Sequence, residues 1–397
     1  MLSAETLSTV KSTAPLLAKE GKAITDLFYS KLFANHPELQ HTFNMANQAQ
    51  GEQSRALAES VFMYATHIDA LQNLGPMVNR IAHKHASLQV SPEHYPIVGK
   101  YLLEAIQDHL GLEADHPVLG AWGEAYGQLA SIFIKTEEGI YSHNENKPGG
   151  WRGFRAFVIR DIVDEASGIK SIYLQPEDSQ PIANFEPGQY IGIKVQVPGH
   201  EYDEIRQYSL SNTPGKDHYR ITIKAESTPP GYVGKVSNHL HGAQRGDQVW
   251  LQPPTGDFIV KHPENKLALI AGGVGITPLL SMLLQRVETG EDVSNLAFIH
   301  CCKDRAHHVM ADELRRLSNQ HGFKYYVSYE TDGGADHQGY LNPSVLSKWL
   351  GQPDADVYFC GPQPFMSAVN TTLLELGFKD TQLHYEVFGP SPRFPTH

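Results

Sequence analysis

The amino-acid sequence predicts a multi-domain protein: an all-α domain, then an antiparallel β-barrel, then an α/β domain with a parallel sheet. Three observations predict this order. Apolar residues recur at spacings of three and four up to about residue 147, short β-branched and aromatic runs follow, and strand-like segments alternate with helical ones from Leu267 onward. A chain of 397 residues is long enough for two or three such domains. We therefore predict domains at 1–147, 152–262 and 266–397.

The charge and cysteine content argue against several classes of protein. With 32 basic and 44 acidic residues, the net charge of -12 opposes binding to the phosphates of nucleic acid or to anionic lipid. The three cysteines are too few for a disulfide framework, which favours a reducing compartment. The first residues lack the basic and apolar segments of a secretory signal. We expect a cytoplasmic monomer that binds small molecules and no nucleic acid.

One uncharged stretch, 267–284, has the length of a short membrane span. Its centre, however, holds three glycines followed by Thr277 and Pro278, a pattern typical of a turn between a strand and a helix. We therefore interpret this stretch as part of a nucleotide site and expect no stable insertion into a membrane.

His85 lies on the apolar face of a predicted helix. Val78, Ile81 and His85 share one side of a helix at about one hundred degrees per residue, whereas His83 points about two hundred degrees away from Ile81. The side chain of His85 is therefore predicted to point inward. A lone inward histidine is more often a hydrogen-bonded core residue than a metal ligand, so both interpretations stay open at this point.

Two short elements in the β-barrel region carry groups suited to a flavin dinucleotide. Segment 206–209 reads Arg-Gln-Tyr-Ser on a predicted strand, and segment 234–237 reads Gly-Lys-Val-Ser at the predicted start of a helix. A flavin dinucleotide needs a cation and backbone donors for its pyrophosphate, an aromatic face beside its rings and a hydroxyl near the ring nitrogen that accepts hydride. Taken singly, a string such as 206–209 is also found in ordinary exposed strands.

Three further elements follow in the α/β region. Segment 271–278 reads Ala-Gly-Gly-Val-Gly-Ile-Thr-Pro after a predicted strand, where glycines let a backbone approach phosphate and the next helix N-terminus favours negative charge. A tight turn from strand to helix has the same composition. Segment 358–362 ends a later strand, and segment 384–390 follows near the C-terminus.

The order of these elements resembles the ferredoxin-reductase superfamily over residues 152–397. The resemblance implies a bound FAD and a nicotinamide nucleotide. The implied flavin contacts are Tyr190, Arg206, Gln207, Tyr208 and Ser209, with Gly234, Val236 and Ser237 at the pyrophosphate. The implied nucleotide contacts are Gly272, Gly273, Val274, Gly275, Ile276, Thr277, Cys360, Gly361 and Pro362. The implied contacts near the C-terminus are Glu386, Val387, Phe388, Gly389 and Pro390, with Phe388 near the flavin where nicotinamide must stack.

Residues 1 to about 147 resemble a bacterial globin, and together with the reductase part the chain resembles the flavohaemoglobins. The residues that carry this second resemblance are Tyr29, Phe43, Gln53, Leu57, Lys84, His85, Tyr95 and Glu137. It implies haem b with His85 as the iron ligand, and Tyr95 and Glu137 as acceptors or relays of the second ring proton of His85. Tyr29 and Gln53 would donate hydrogen bonds to oxygen on the other face.

The resemblance implies a nitric oxide dioxygenase, in which NADH or NADPH reduces FAD, FAD reduces haem iron and the oxygen complex converts NO to nitrate. The flavin is needed because hydride carries two electrons and iron accepts one. Two alternatives stay open: a sensor of O2 or NO that regulates a partner, and a ferredoxin-type reductase whose helical domain holds no haem. The choice between NADH and NADPH also stays open, because Lys303 or Arg305 would either bind a ribose phosphate or be solvated.

Overall fold

The computed structural model describes residues 2–227 and 233–389. The chain forms two compact units. The first is built mainly from the chain up to Asn146 and also includes Lys194–Arg206, and the second contains Lys147–Ile193 and Gln207–Phe388. A division into two units leaves the three predicted domain boundaries as predictions.

The described chain up to Asn146 is helical, as predicted. Its α-helices are α1 (Ala4–Asn35), α2 (Met45–Ala49), α3 (Glu52–Thr66), α4 (Gly75–Ser87), α5 (His94–Leu110) and α6 (Pro117–Asn146). The Ser3 side chain caps α1, and Pro76 and Pro117 stand in the first turns of α4 and α6, where a missing amide proton costs nothing. Helix α1 packs against α3, α5 and α6, and its Phe28 and Leu32 are buried in that core.

The next part of the chain forms a six-stranded sheet with the strand order β4-β3-β6-β1-β2-β5. Its elements are β1 (Arg155–Ala166), β2 (Ile169–Pro176), β3 (Tyr190–Val195), β4 (Glu204–Ser209), β5 (Tyr219–Lys224), α7 (Lys235–His241) and β6 (Gln248–Leu251). Strand β1 is antiparallel to β2 and β6, and β2 is antiparallel to β5. An antiparallel bridge between Leu210 and Ile221 joins the two outer strands, so the sheet closes on itself. The predicted antiparallel β-barrel is confirmed.

The last part of the chain forms a second six-stranded sheet, with the order β10-β9-β8-β7-β11-β12. Its elements are β7 (Lys266–Gly272), α8 (Ile276–Glu288), β8 (Ala297–Cys302), α9 (Ala311–His321), β9 (Lys324–Tyr329), β10 (His337–Gln338), α10 (Pro343–Leu350), β11 (Ala355–Cys360), α11 (Gln363–Glu375) and β12 (Leu383–Glu386). All five strand pairings are parallel. The predicted α/β domain with a parallel sheet is confirmed.

The strand order of the parallel sheet reverses between β7 and β11. The chain runs outward from β7 through β8 and β9 to β10, and then returns to the other side of β7 as β11. In open α/β sheets, ligands bind beyond the carboxyl ends of the strands at such a reversal. The fold therefore predicts a ligand site beyond Gly272 and Cys360, the last residues of these two strands.

The uncharged stretch 267–284 forms most of β7, a 3-10 turn at Gly273–Gly275 and much of α8. The strand-turn-helix interpretation of this stretch is confirmed. Within residues 2–227 and 233–389, no helix is both long and apolar enough to cross a membrane.

We predict that Gly188→Ala destabilises the second unit by about 2 to 5 kcal/mol. The new Cβ atom would overlap neighbouring atoms, and the positive φ would strain the alanine backbone. Gly188 has φ 105°, and a Cβ atom there would lie 1.9 Å from the Phe258 carbonyl oxygen and 2.7 Å from the Met282 methyl carbon. Chemical denaturation followed by circular dichroism measures the change.

Gly168→Ala is the matched control for Gly188→Ala. Gly168 also has a positive φ, 66°, but its Cβ would meet no atom within 4 Å. We expect a loss of only about 1 to 2 kcal/mol, the cost of the left-handed backbone alone. Equal losses in the two variants would contradict the close approach at Gly188.

Candidate cofactor-binding sites

His85 lies on α4 with its ring held by two residues from other helices. Its Nδ1 is 2.7 Å from Oε1 of Glu137 on α6 and 3.2 Å from the hydroxyl of Tyr95 on α5. A carboxylate oxygen can only accept, so Nδ1 carries the ring proton and Nε2 keeps its lone pair. Nε2 has no hydrogen-bond partner among the described residues. The ring therefore presents a neutral imidazole nitrogen of the kind that binds metals in proteins.

The Glu137 carboxyl group is buried, with 2% of its surface exposed. The Tyr95 hydroxyl donates a second hydrogen bond to the same oxygen, at 2.5 Å. Burial, and after it the nearby Glu137 carboxylate, raises the pKa of Tyr95 well above its usual value. Tyr95 therefore remains a protonated donor, and Glu137, Tyr95 and His85 form the hydrogen-bonded group that the resemblance implies.

Tyr29 on α1 and Gln53 on α3 form a second group in the same helical core. The Gln53 side chain lies near the Tyr29 hydroxyl, and Tyr29 is almost completely buried. Burial raises the pKa of Tyr29 well above its usual value, so the hydroxyl keeps its proton. The Tyr29 ring contacts Phe43 edge to face, with ring centroids 5.8 Å apart.

The other two residues implied for this part of the chain occupy neighbouring positions. Leu57 lies one turn beyond Gln53 on α3 and packs against the apolar core. Lys84 precedes His85 in the last turn of α4. Of the residues that the resemblance implies, the structure brings His85 together with Tyr95 and Glu137. It also brings Tyr29 together with Gln53 and Phe43.

The predicted flavin contacts lie on two adjacent strands of the β-barrel. Tyr190 begins β3, and Arg206, Gln207, Tyr208 and Ser209 end β4. The Arg206 guanidinium is fixed by Glu204 at 3.0 Å and by the Ile205 carbonyl at 2.7 Å. Ser209 is buried, and its hydroxyl has no hydrogen-bond partner among the described residues. A buried hydroxyl without a partner is costly unless a ligand completes it, which fits the hydroxyl that a flavin ring nitrogen needs.

The predicted pyrophosphate contacts stand at the start of α7. Gly234 is its N-cap, and Val236 is buried. The Ser237 hydroxyl donates to the Gly234 carbonyl and accepts from the Glu226 amide, both at 3.2 Å. Val236 and Ser237 thus stabilise the turn itself, which leaves backbone amides of the first helical turn as donors for a phosphate.

The predicted nucleotide contacts meet at the strand-order reversal of the parallel sheet. A Cβ atom on Gly275 would lie 2.3 Å from the Cys360 carbonyl oxygen and 2.6 Å from the Gly361 nitrogen, so only glycine allows this approach. Gly273 has φ 53°, which turns the chain from β7 into α8. Two loops therefore meet beyond the carboxyl ends of β7 and β11, and we call segments 272–277 and 360–362 the loop pair. More than 80 residues separate the two segments in sequence.

The side chains of the glycine-rich loop divide between the core and the surface. Ile276 and Thr277 are buried at the start of α8, and the Thr277 hydroxyl donates to the Val274 carbonyl at 3.1 Å. Val274 is partly exposed. Pro362 is the N-cap of α11 and is exposed.

The predicted C-terminal contacts lie beside the same sheet edge. Glu386 ends β12 directly opposite Cys360 of β11. Val387 follows it, then Phe388, whose side chain is half exposed, and Gly389. Pro390 lies outside the described residues. The half-exposed ring of Phe388 is the large apolar surface that the resemblance places beside a flavin.

Three residues in these sites are missing from the sequence prediction. Glu204 anchors Arg206, and the charge alternation Glu-Ile-Arg on one strand face is a signal for it. The Phe365 ring packs against both Gly272 and Gly361. A Cβ atom added to either glycine would lie 2.7 Å from the ring, which is too close. His300 on β8 has its Nε2 3.2 Å from the Gly273 carbonyl oxygen. Phe365 and His300 have no local signal, because their contacts depend on which strands are neighbours.

Family models match three successive parts of the chain. Residues 26–133 match the model described as globin, residues 163–260 match an oxidoreductase FAD-binding domain, and residues 269–371 match an oxidoreductase NAD-binding domain. A flavohemoprotein from Halalkalibacterium halodurans is 44% identical over 404 residues, which cover 98% of this chain and 97% of that relative. The similarity thus spans all three kinds of domain.

Two solved structures are also similar. The flavohemoglobin of Malassezia yamatoensis, solved with bound FAD and heme, matches with a TM-score of 0.87 at 26% identity and covers 98% of this chain and 100% of its own. The FAD/NAD-binding domain of a nitric oxide dioxygenase from Vibrio cholerae matches with a TM-score of 0.56 at 37% identity, over 60% of this chain and 100% of its own. The fold and the order of domains are shared with the first of these along nearly the whole chain.

We predict that Tyr95→Phe lowers the free energy of unfolding of the helical unit by about 1 to 3 kcal/mol, because the buried Glu137 loses a hydrogen-bond donor. Tyr101→Phe is the matched control, since Tyr101 is similarly buried on the same helix, and within the described residues the hydroxyl that bonds Glu137 is that of Tyr95. Denaturation followed at the helical circular dichroism signal measures both variants. A loss in Tyr101→Phe as large as that in Tyr95→Phe would mean that the hydroxyl bond to Glu137 is unimportant.

Proposed function

Because the chain belongs to the flavohaemoglobin family, we propose that this NAD(P)H oxidoreductase is a nitric oxide dioxygenase. The reaction converts two NO and two O2, with one NADH or NADPH, into two nitrate ions, one oxidised nucleotide and one proton. The similarity to the nitric oxide dioxygenase reductase of Vibrio cholerae, at 37% identity, supports this assignment. The observation that carries it in this chain is the hydrogen bond from His85 Nδ1 to the buried Glu137, which prepares the other ring nitrogen for a metal.

The residues present fit the three groups that the reaction needs. When bound, FAD takes a hydride from the nicotinamide and releases electrons singly, and haem supplies an iron that holds oxygen. His85 would offer Nε2 to the haem iron from the last turn of α4. Ser209 offers a buried hydroxyl without a partner, and Arg206 offers a fixed cation. The loop pair at 272–277 and 360–362 offers backbone in close approach, as a dinucleotide requires.

Glu137 and Tyr95 determine how strongly His85 donates to a metal. A carboxylate that accepts the Nδ1 proton gives the imidazole partial imidazolate character and makes Nε2 a stronger electron donor. Tyr95 shares the same carboxylate oxygen and so fixes its position. We assign Glu137 and Tyr95 as the residues that direct electron density from His85 toward the metal.

Tyr29 and Gln53 supply hydrogen-bond donors within the helical core. Because burial keeps the Tyr29 hydroxyl protonated, it would donate a hydrogen bond to a partly negative ligand, and the Gln53 amide nearby would supply a second donor. Phe43 and Leu57 supply apolar walls that keep water away. We assign Tyr29 and Gln53 to the stabilisation of oxygen before it reacts with NO.

In the reductase part, the residues orient two nucleotides for hydride transfer. Arg206 and the amides at the start of α7 would hold the flavin pyrophosphate, and Ser209 would donate a hydrogen bond to the flavin ring that receives hydride. Phe388 would supply an apolar surface beside the flavin. The loop pair beyond β7 and β11 would hold the pyrophosphate of NADH or NADPH.

The experiment that tests this function combines spectra with product analysis. The purified full-length protein is mixed with NADH under air, with and without NO, while absorption and nitrate are recorded. We expect reduction of a haem spectrum by NADH, NADH consumption that depends on NO, and two nitrate ions per NADH. A haem spectrum with no NO-dependent consumption would favour a gas sensor, and a flavin spectrum without haem would favour a simple reductase.

We predict that His85→Ala loses haem while keeping FAD and the NADH-dependent reduction of ferricyanide, because each unit has its own core. The pyridine haemochrome assay and the flavin spectrum measure the two contents. The converse variant, Arg206→Ala with Ser209→Ala, is the control, and it should keep haem but bind little FAD. Stoichiometric haem in His85→Ala would contradict the assignment of His85 as the metal ligand.

We predict that Tyr29→Phe accelerates oxygen dissociation about ten- to a hundredfold, because the lost hydrogen bond to a partly negative ligand costs on the order of 1.5 to 3 kcal/mol. The substitution keeps the volume of the ring, so packing changes little. Carbon monoxide carries little negative charge on its outer atom, so its dissociation should change far less. Stopped-flow measurement of both gases decides between these outcomes: equal changes would show that Tyr29 is only part of the pocket wall.

A further inference from the structure

A buried histidine lies directly behind the glycine-rich loop of the parallel sheet. His300 is on β8, opposite Ala271 of β7, and none of its surface is exposed. Its Nε2 is 3.2 Å from the Gly273 carbonyl oxygen. Its Nδ1 is also buried and has no hydrogen-bond partner in the described part of the chain. Among residues 2–227 and 233–389, the bond to Gly273 is therefore the one hydrogen bond that the His300 side chain makes and an apolar side chain could not.

The bond to Gly273 determines which ring nitrogen of His300 carries the proton. A carbonyl oxygen only accepts, so Nε2 must donate, and Nδ1 is left as an acceptor without a donor. An unsatisfied buried acceptor is unfavourable, and a valine or leucine would avoid it. Burial, and then the nearby His308, lowers the pKa of His300 to about 3, so the ring is neutral at physiological pH.

A second histidine fixes the position of the His300 ring. The rings of His300 and His308 meet edge to face, with centroids 5.1 Å apart. His308 is held at both nitrogens by tyrosine hydroxyls of β9, Nδ1 by Tyr329 at 2.8 Å and Nε2 by Tyr325 at 2.5 Å. The ring behind the loop is thus supported from β9 and cannot turn freely.

Fixing the Gly273 carbonyl also fixes the next amide. A peptide group is planar and trans, so the N–H of Val274 points opposite to the Gly273 carbonyl. That carbonyl accepts from the Ile276 amide as well as from His300. Gly273 has φ 53°, and without a Cβ its backbone could otherwise rotate to other conformations. The donor on His300 therefore selects the peptide orientation that turns the Val274 amide away from the sheet.

We propose that His300 is a positioning residue, which holds the Gly273–Val274 peptide in the orientation that binds the pyrophosphate of the nicotinamide nucleotide. This inference rests on the proposed function, because it requires the glycine-rich loop to bind that nucleotide. His300 acts through the loop and touches neither the substrate nor the flavin in this role.

Two variants of the full-length protein with bound FAD separate the donor from the shape of the ring. His300→Leu removes the donor at similar volume, whereas the amide of His300→Gln replaces Nε2–H with an N–H at a comparable reach. With ferricyanide as electron acceptor, we expect the KM for NADH to rise about five- to tenfold in His300→Leu with kcat nearly unchanged. We expect His300→Gln to remain within about twofold of wild type. Competitive inhibition by ADP should weaken in parallel with the rise in KM.

Ser318→Ala is the matched control for a lost internal hydrogen bond in the same domain. The Ser318 hydroxyl on α9 donates to the Phe323 carbonyl at 2.7 Å, a bond that involves neither His300 nor His308. We expect reduced thermal stability in Ser318→Ala but an unchanged KM for NADH. A rise in KM as large as that in His300→Leu would mean that any weakening of the domain impairs binding, and this would overturn the proposal.

Nitrogen-15 NMR of histidine-labelled wild-type protein tests the protonation of the His300 ring directly. The His300 signal is assigned by its absence from the His300→Gln spectrum or by its contact with His308. We expect the His300 ring to be neutral, with the proton on Nε2. A proton on Nδ1, or an unchanged KM in a folded His300→Leu, overturns the role of His300. By contrast, wild-type protein that reduces no acceptor with NADH or NADPH contradicts the proposed function itself.

Discussion

A carboxyl group in an apolar core is unfavourable unless its oxygens are hydrogen-bonded, and Glu137 is the clearest case in this chain. It lies on α6 with almost no exposed surface, and its partners come from two other helices, His85 on α4 and Tyr95 on α5. The pairing therefore fixes the relative positions of three helices. It also selects the tautomer of His85, because only a protonated Nδ1 satisfies the carboxylate. One requirement of burial thus sets both the packing of the helical core and the nitrogen that is offered to a metal.

The reductase part depends on a different constraint, the close approach of two backbone segments. Gly275 can approach the Cys360 carbonyl because it has no Cβ, and the Phe365 ring closes over Gly272 and Gly361. Side chains at these positions would separate β7 from β11 at the strand-order reversal, where the fold predicts a ligand. The loop then needs a means of selecting one peptide orientation, since glycine alone leaves several open. A buried donor behind the loop, such as His300, provides it.

The combination of three kinds of domain in one chain meets a chemical requirement. A nicotinamide releases two electrons together as hydride, whereas a haem iron changes its oxidation state by one electron, so a flavin must stand between them. Along the chain, a part similar to a globin is followed by a part similar to an FAD-binding domain and then by a part similar to an NAD-binding domain. The part that would bind the flavin thus lies between the other two in sequence. A gas sensor needs only the first of these. The presence of all three is why an electron-transfer reaction is the proposal that explains the whole chain.

The sequence by itself determined the fold class, the inward direction of His85 and the strand-turn-helix form of residues 267–284. These depend on helical phase, strand alternation and the conformations open to glycine, all of which act over a few residues and can be read along the chain. The resemblance added Glu137 as a partner of His85, although 52 positions separate them. Only the tertiary structure decided that Glu204 holds Arg206, that Ser209 is buried without a partner, and that His300 and Phe365 stand behind the glycines. These facts depend on which strands and helices become neighbours, and that is set by the packing of the whole chain and leaves no periodic or local pattern in the sequence.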